Sequence, residues 1–193
     1  MPEARSRFGM VKDAVWGRLE KGLADKLSDP NLLKESRIEL NINDWTITLD
    51  AYTFNGKESS RIRAPFVNND GFKFKIFRKG FFTSLMKIIG MQDIEVGHPE
   101  FDSEFIIQGN NPDKVIQLFS SDKLRQFLLK QPSIFIQIKE DEGWFSEKFP
   151  KGIDELYLEI KGNITNIEQL QALFAIFANT LDGACTLDSA SQG

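Results

Sequence analysis

Five carboxylates, Asp93, Glu95, Glu100, Asp102 and Glu104, crowd into a short stretch of this chain. In extended backbone, residues two apart project to the same side, so Asp93 joins Glu95, and Glu100 joins Asp102 and Glu104. Oxygen-rich sets of this kind hold Mg²⁺ or Ca²⁺, or supply the acid and base of a hydrolysis. A metal-assisted hydrolase is therefore one reading. The Asp-x-Asp-x-Asp-Gly spacing of a calcium loop is absent, as is a glycine-rich phosphate cradle followed by Lys-Ser or Lys-Thr. Carboxylates that border a strand are more often solvated or salt-bridged than ligating, and the residues favour that reading here.

Nucleophilic chemistry has little to work with. His98 is the only histidine and Cys185 the only cysteine, so a zinc site of the usual His and Cys ligands cannot be assembled from them. His98 stands between Gly97 and Pro99, which reads as a turn. Cys185 follows Gly183 in a segment read as a tail, a poor platform for a nucleophile that must be held in place.

The better lead is electrostatic. The window 57–87 holds eight cations against Glu58 and Asp70, a surplus of +6 inside a chain whose net charge is −4. Alternation sets Arg61 and Arg63 opposite Ile62, and Lys73 and Lys75 opposite Phe72 and Phe74, so pairing these two strands would gather four cations on one sheet surface. Like charges across a strand pair repel, so something must neutralise them. An inward solution uses Glu39 and Asp50, or the acidic segment 93–104, and is favoured because solvated charged faces are common. An outward solution is an anionic partner such as a lipid headgroup, a phosphorylated molecule or an acidic protein segment. Phe72, Phe74 and Phe77 are expected in the core, which leaves no stacking platform for nucleic acid. Trp144 and Phe145, set in the acidic loop 140–152, are a partner-contact candidate, although such a pair more often folds back over the core edge.

Composition bounds the rest. With 193 residues, 41% hydrophobic and 27% charged, the chain fits one globular domain that needs neither disulfides nor a structural metal. No cofactor is expected. One cysteine, no signal-like apolar run and no stretch approaching a membrane span make a cytoplasmic location the expectation. A pI near 5.2 argues against a general nucleic-acid binder.

The elements that would position these residues follow from periodicity. Residues 10–27 read as an amphipathic helix, which either docks on its own domain or serves a membrane surface or homo-oligomer. Ile38, Leu40 and Ile42, then Trp45, Ile47 and Leu49, alternate as strands around Asn43-Asp44, and a phase slip at Tyr52 and Phe54 suggests a bulge near Asp50-Ala51. Asn55-Gly56 turns into strands 61–67 and 72–77, for a four-stranded meander. A short helix over 81–89 ends at Gly90. The strand at Phe105 to Ile107 leads to helices opened by Asn111 and Ser121, and strands follow around Ile136 and Leu158. Thr165 and Glu168 fit a capping box for a last helix ended by Gly183.

Several of these segments carry a resemblance. Arg61-Ile-Arg-Ala-Pro-Phe-Val-Asn, Gly90-Met-Gln-Asp-Ile-Glu-Val-Gly, Pro99-Glu-Phe-Asp and Phe105-Ile-Ile-Gln-Gly-Asn resemble a bacterial family with no assigned activity. The likeness spans roughly 47–181 and implies a single α+β domain of bacterial origin. It implies no catalytic residue. The expected architecture is α+β: about seven antiparallel strands packed on the C-terminal helix and two central helices. A roll similar to the pleckstrin-homology type is one such arrangement. Residues 1–36 are read as amphipathic helix and linker, 37–183 as the domain and 184–193 as a flexible tail. The functional expectation is a non-enzymatic binding or scaffolding domain that engages a protein or an anionic surface through the basic hairpin face, with peripheral membrane contact as one form of it.

Overall fold

The computed structural model describes residues 37–42, 45–80, 92–140 and 149–190. The expected helices over 10–27 and 81–89, the Asn43-Asp44 turn and the Trp144–Phe145 pair lie outside the described residues.

The described strands are β1 (Arg37–Ile42), β2 (Trp45–Phe54), β3 (Lys57–Val67), β4 (Phe74–Arg78), β5 (Gln92–Asp93), β6 (Phe105–Gly109), β7 (Phe135–Lys139) and β8 (Ile153–Lys161). They form one eight-stranded sheet, ordered β1-β2-β3-β8-β7-β4-β6-β5, in which every neighbouring pair is antiparallel. The described helices are α1 (Pro99–Glu104), α2 (Pro112–Leu118), α3 (Asp122–Leu129) and α4 (Ile167–Ala190). The chain is α+β, as its periodicity predicts. Among the described residues the ladder is open, with β1 and β5 at its two edges.

Alternation builds the inner face. Ile62, Ala64 and Phe66 of β3, Phe74 and Ile76 of β4, and Leu156, Leu158 and Ile160 of β8 are buried in a single core with Leu173, Phe174 and Phe177 of α4. Side-chain period two makes this automatic once the strands pair in register.

Local signals place the turns and caps. Asn55 and Gly56, with φ of 51° and 73°, close the β2–β3 hairpin in the left-handed pair of conformations that a two-residue hairpin demands. The Asn111 side chain accepts from Lys114 N at 3.1 Å ahead of Pro112, and Ser121 accepts from Leu124 N at 3.4 Å. Gly109 sits where a Cβ would come within 2.7 Å of Val115 Cγ2 and 3.2 Å of the Lys73 carbonyl, so the glycine permits α2 and the 68–73 loop to close on β6.

Several expectations need correction. The β2 register runs without interruption from Thr48↔Arg63 to Phe54↔Lys57, so no bulge occurs at Asp50-Ala51 and Tyr52 stays on the face opposite Ile47 and Leu49. The meander stops after β3. Its next neighbour is β8, and β4 lies two strands further on. Residues 99–104 are helical rather than extended, with Pro99 opening α1 and Phe101 buried. The cap of α4 is Asn166, whose Oδ1 accepts from Gln169 N at 2.7 Å, one residue past the expected Thr165. Gly183 does not end that helix. It lies within it, against Leu118, and residues 184–190 are helical, with Ala184 and Leu187 buried. By length and composition alone Glu168–Leu187 could cross a membrane, with a mean hydropathy of 1.3, yet 61% of that window is buried inside the protein.

Candidate functional site

The described helices pack on one face of the sheet, and its other face carries different chemistry. Reading across the strands at one level, Thr48, Arg63, Tyr157, Gln137, Lys75, Gln108 and Asp93 stand directly opposite one another in turn. Directly opposed residues of an antiparallel pair share a face, so this is a continuous polar row across seven strands. A parallel row holds Arg37, Asp50, Arg61 and Glu159, then Phe135, Phe77 and Ile106. The outer face thus divides into a charged half over β2, β3 and β8 and an aromatic half over β7, β4 and β6.

In the charged half, cations and carboxylates are paired. Asp50 receives Arg61 through two hydrogen bonds, Nε to Oδ1 at 2.7 Å and Nη2 to Oδ2 at 2.9 Å, and Arg63 Nη2 approaches the same Oδ2 at 3.3 Å. Hydrogen bonding to Asp50 raises the Arg61 pKa further above its ordinary value, against the opposing effect of burial. Glu155, 5% exposed, takes Lys139 at 3.2 Å and lies 3.9 Å from Arg63. The Lys139 amine also rests over the Tyr157 ring, 4.3 Å from its centroid, and the Arg61 guanidinium stands 4.9 Å from that of Tyr52. Tyr157 donates to Glu159 at 2.7 Å, and burial followed by that carboxylate raises its pKa. Burial raises the pKa of Tyr52 as well.

The central part of the row is drier. Lys75, 1% exposed, stands between Gln137 and Gln108, with its amine 5.8 Å from the Phe77 ring centroid. Burial lowers the Lys75 pKa, and the nearby Asp93 charge acts against that. Gln108 donates Nε2 to Asp93 Oδ1 at 2.5 Å, which fixes the amide orientation. Its buried Oε1 has no hydrogen-bond partner among the described residues.

Of the four expected anion-binding cations, Arg61, Arg63 and Lys75 share this face, as alternation predicts. They do not form one hairpin surface. Two strands separate β3 from β4, so Arg63 and Lys75 are about 14 Å apart at ordinary strand spacing. Lys73 precedes β4 and turns to Asp154 at 2.6 Å, a carboxylate that also receives Asn68. Asp50 is the counter-ion foreseen for the arginines, whereas Glu39 pairs with Arg37 at 2.6 Å. Phe77, expected in the main core, lies on the outer face with Phe135 and Tyr157.

The carboxylate set disperses. Asp102 accepts from the backbone N–H groups of Val96 and His98, both at 2.9 Å, and so shapes the turn into α1. Glu104 pairs with Arg78 at 2.7 Å, Asp93 with Gln108, and Glu95 and Glu100 are exposed. Among the described residues no three His, Cys, Asp or Glu side chains gather to hold a metal ion. His98 is exposed, and its side chain makes no cap hydrogen bond.

Glu155, Lys139, Tyr157, Gln137 and Gln108 escaped the sequence reading. For Gln137, Lys139, Glu155 and Tyr157 the signal was present: polar residues or a tyrosine recur at alternate positions in Ile136-Gln-Ile-Lys and Glu155-Leu-Tyr-Leu-Glu. What local sequence lacks is the pairing of β8 with β3. Comparison of the chain with known protein families, characterised proteins and solved structures returns no match.

Proposed function

We propose that this chain is a non-enzymatic binding or scaffolding domain whose partner docks on the outer sheet face. The observation that carries the reading is the half-exposed end of this face, where the Arg61 guanidinium lies 4.9 Å from the Tyr52 ring centroid and pairs with Asp50. Thr48, Tyr157, Lys75 and Gln108 of the polar row are themselves buried, so a partner meets the face at this half-exposed end rather than along the whole row. The ion pairs centred on Asp50 and Glu155 leave the charged half close to neutral. Hydrogen bonding and aromatic contact through Tyr52 and Arg61, at the accessible end of the face, therefore suit a protein partner better than an anionic surface. The dispersed carboxylates give metal-assisted hydrolysis no support. Action in the bacterial cytoplasm belongs to the same proposal and rests on the resemblance and the cysteine usage.

The test is affinity capture with the native chain and with a Tyr52→Ala/Arg61→Gln variant, followed by direct titration of any captured protein in purified form. Cosedimentation with phosphatidylglycerol vesicles runs alongside. The expected result is a partner bound by the native chain and released by the variant, with the fold retained by circular dichroism. Equal binding by both chains refutes the outer face. Vesicle binding that collapses with salt replaces the protein partner by an anionic surface.

A further inference from the structure

Among the described strands the sheet ends at β1. Among the described residues no strand pairs with its outer edge, and such an edge presents free N–H and C=O groups to another chain. β1 pairs with β2 at all six positions without a bulge and contains no proline, so two common ways of blunting an edge are missing.

Charge on this edge has a pattern. In one row, Arg37, Asp50, Arg61 and Glu159 alternate in sign from strand to strand. Arg37 is the outermost member, so the next position beyond the edge calls for a carboxylate. Two residues along, on the same face, stands Glu39, half exposed and paired with Arg37 at 2.6 Å. A second β1 laid antiparallel about a two-fold axis through Ile38 puts each Arg37 across from the other copy's Glu39. Ile38 then meets Ile38, and the apolar faces of both sheets remain on one side. Moving the axis by one residue to Glu39 sets Glu39 against Glu39, a like-charge contact. Opposite charges two residues apart thus make this strand complementary to itself in one register, whereas a single sign would repel a second copy.

We propose that two copies of this chain associate through their β1 edges, continuing the sheet and its alternating charge row from one molecule into the next. The contact is short against the roughly 1,200–2,000 Å² of a stable interface, so association is weak and grows with concentration. It weakens with salt, because Arg37 and Glu39 are exposed.

Sedimentation velocity over a concentration series tests this on the full chain. The native chain is expected to shift from monomer towards dimer. Arg37→Glu and Glu39→Arg should each remain monomeric, since each sets like charges across the axis. An equimolar mixture of the two variants should dimerise again, because each then supplies the charge that the other needs. That recovery also shows both variants to be folded. A native chain that stays monomeric at the highest concentration overturns the proposal. So does a dimer that persists in each single variant, which would assign association to another surface such as the segment 10–27.

Discussion

Lys75 is the side chain whose placement has the clearest thermodynamic consequence. Its folded pKa is lowered by burial, while in the unfolded chain it returns to about 10.4. Between those two values the unfolded state binds more protons, so stability rises with pH across that window and the charged amine opposes folding fully below it. Tyr157 acts in the other direction. Its raised pKa keeps the folded state protonated after an unfolded tyrosine ionises near pH ~10, so its contribution to stability falls above that point. Lys75→Met keeps the volume and removes the charge. It should be more stable than the native chain in urea denaturation at neutral pH. The gap should close as pH approaches about 10. A gap independent of pH would mean that the Lys75 amine is not penalised by burial.

The helices α2, α3 and α4 begin where side-chain oxygens reach backbone N–H groups, whereas α1 has no side-chain cap. Asn111 was recognisable because the next residue, Pro112, suits a first turn, and Ser121 opens the following helix as expected. Thr165 and Glu168 matched a capping box equally well on paper, yet Asn166 makes the bond. Asn166→Ala should cost about 1 kcal/mol in chemical denaturation, and Thr165→Ala only a few tenths. The reverse ranking would restore the capping box. α1 was missed because two-residue spacing of acids was read as extended backbone, although Pro99 at its start and acids in its first turn are ordinary helix-opening signals. Gly183 misled for a packing reason. A glycine near the end of an apolar stripe resembles a cap, but here a Cβ would meet Leu118 Cδ1 at 2.5 Å, so the residue serves the approach of α2 to α4.

The last turns of α4 bind the molecule together. Ala184 and Leu187 are buried, and the Lys114 amine donates to the Leu187 carbonyl at 3.1 Å. A chain ending at residue 183 should lose about 2 kcal/mol from the burial of Leu187 alone, visible as a lower melting temperature. Unchanged melting would return 184–190 to the status of a tail. Seven of the eight described strands, most of their inward and outward residues apart from Tyr52 and Phe77, the Asn55-Gly56 hairpin and three of the four described helices were legible in the sequence, because side-chain period, turn chemistry and caps act over a few residues. The sharing of one face by Arg61, Arg63 and Lys75 was legible for the same reason. Strand order was not, since the pairing of β3 with β8 joins residues about 100 positions apart and no local preference encodes it. That long-range choice brought Glu155 to the arginines and separated Lys75 from them, and together with the other strand pairings it drew seven polar residues into one row.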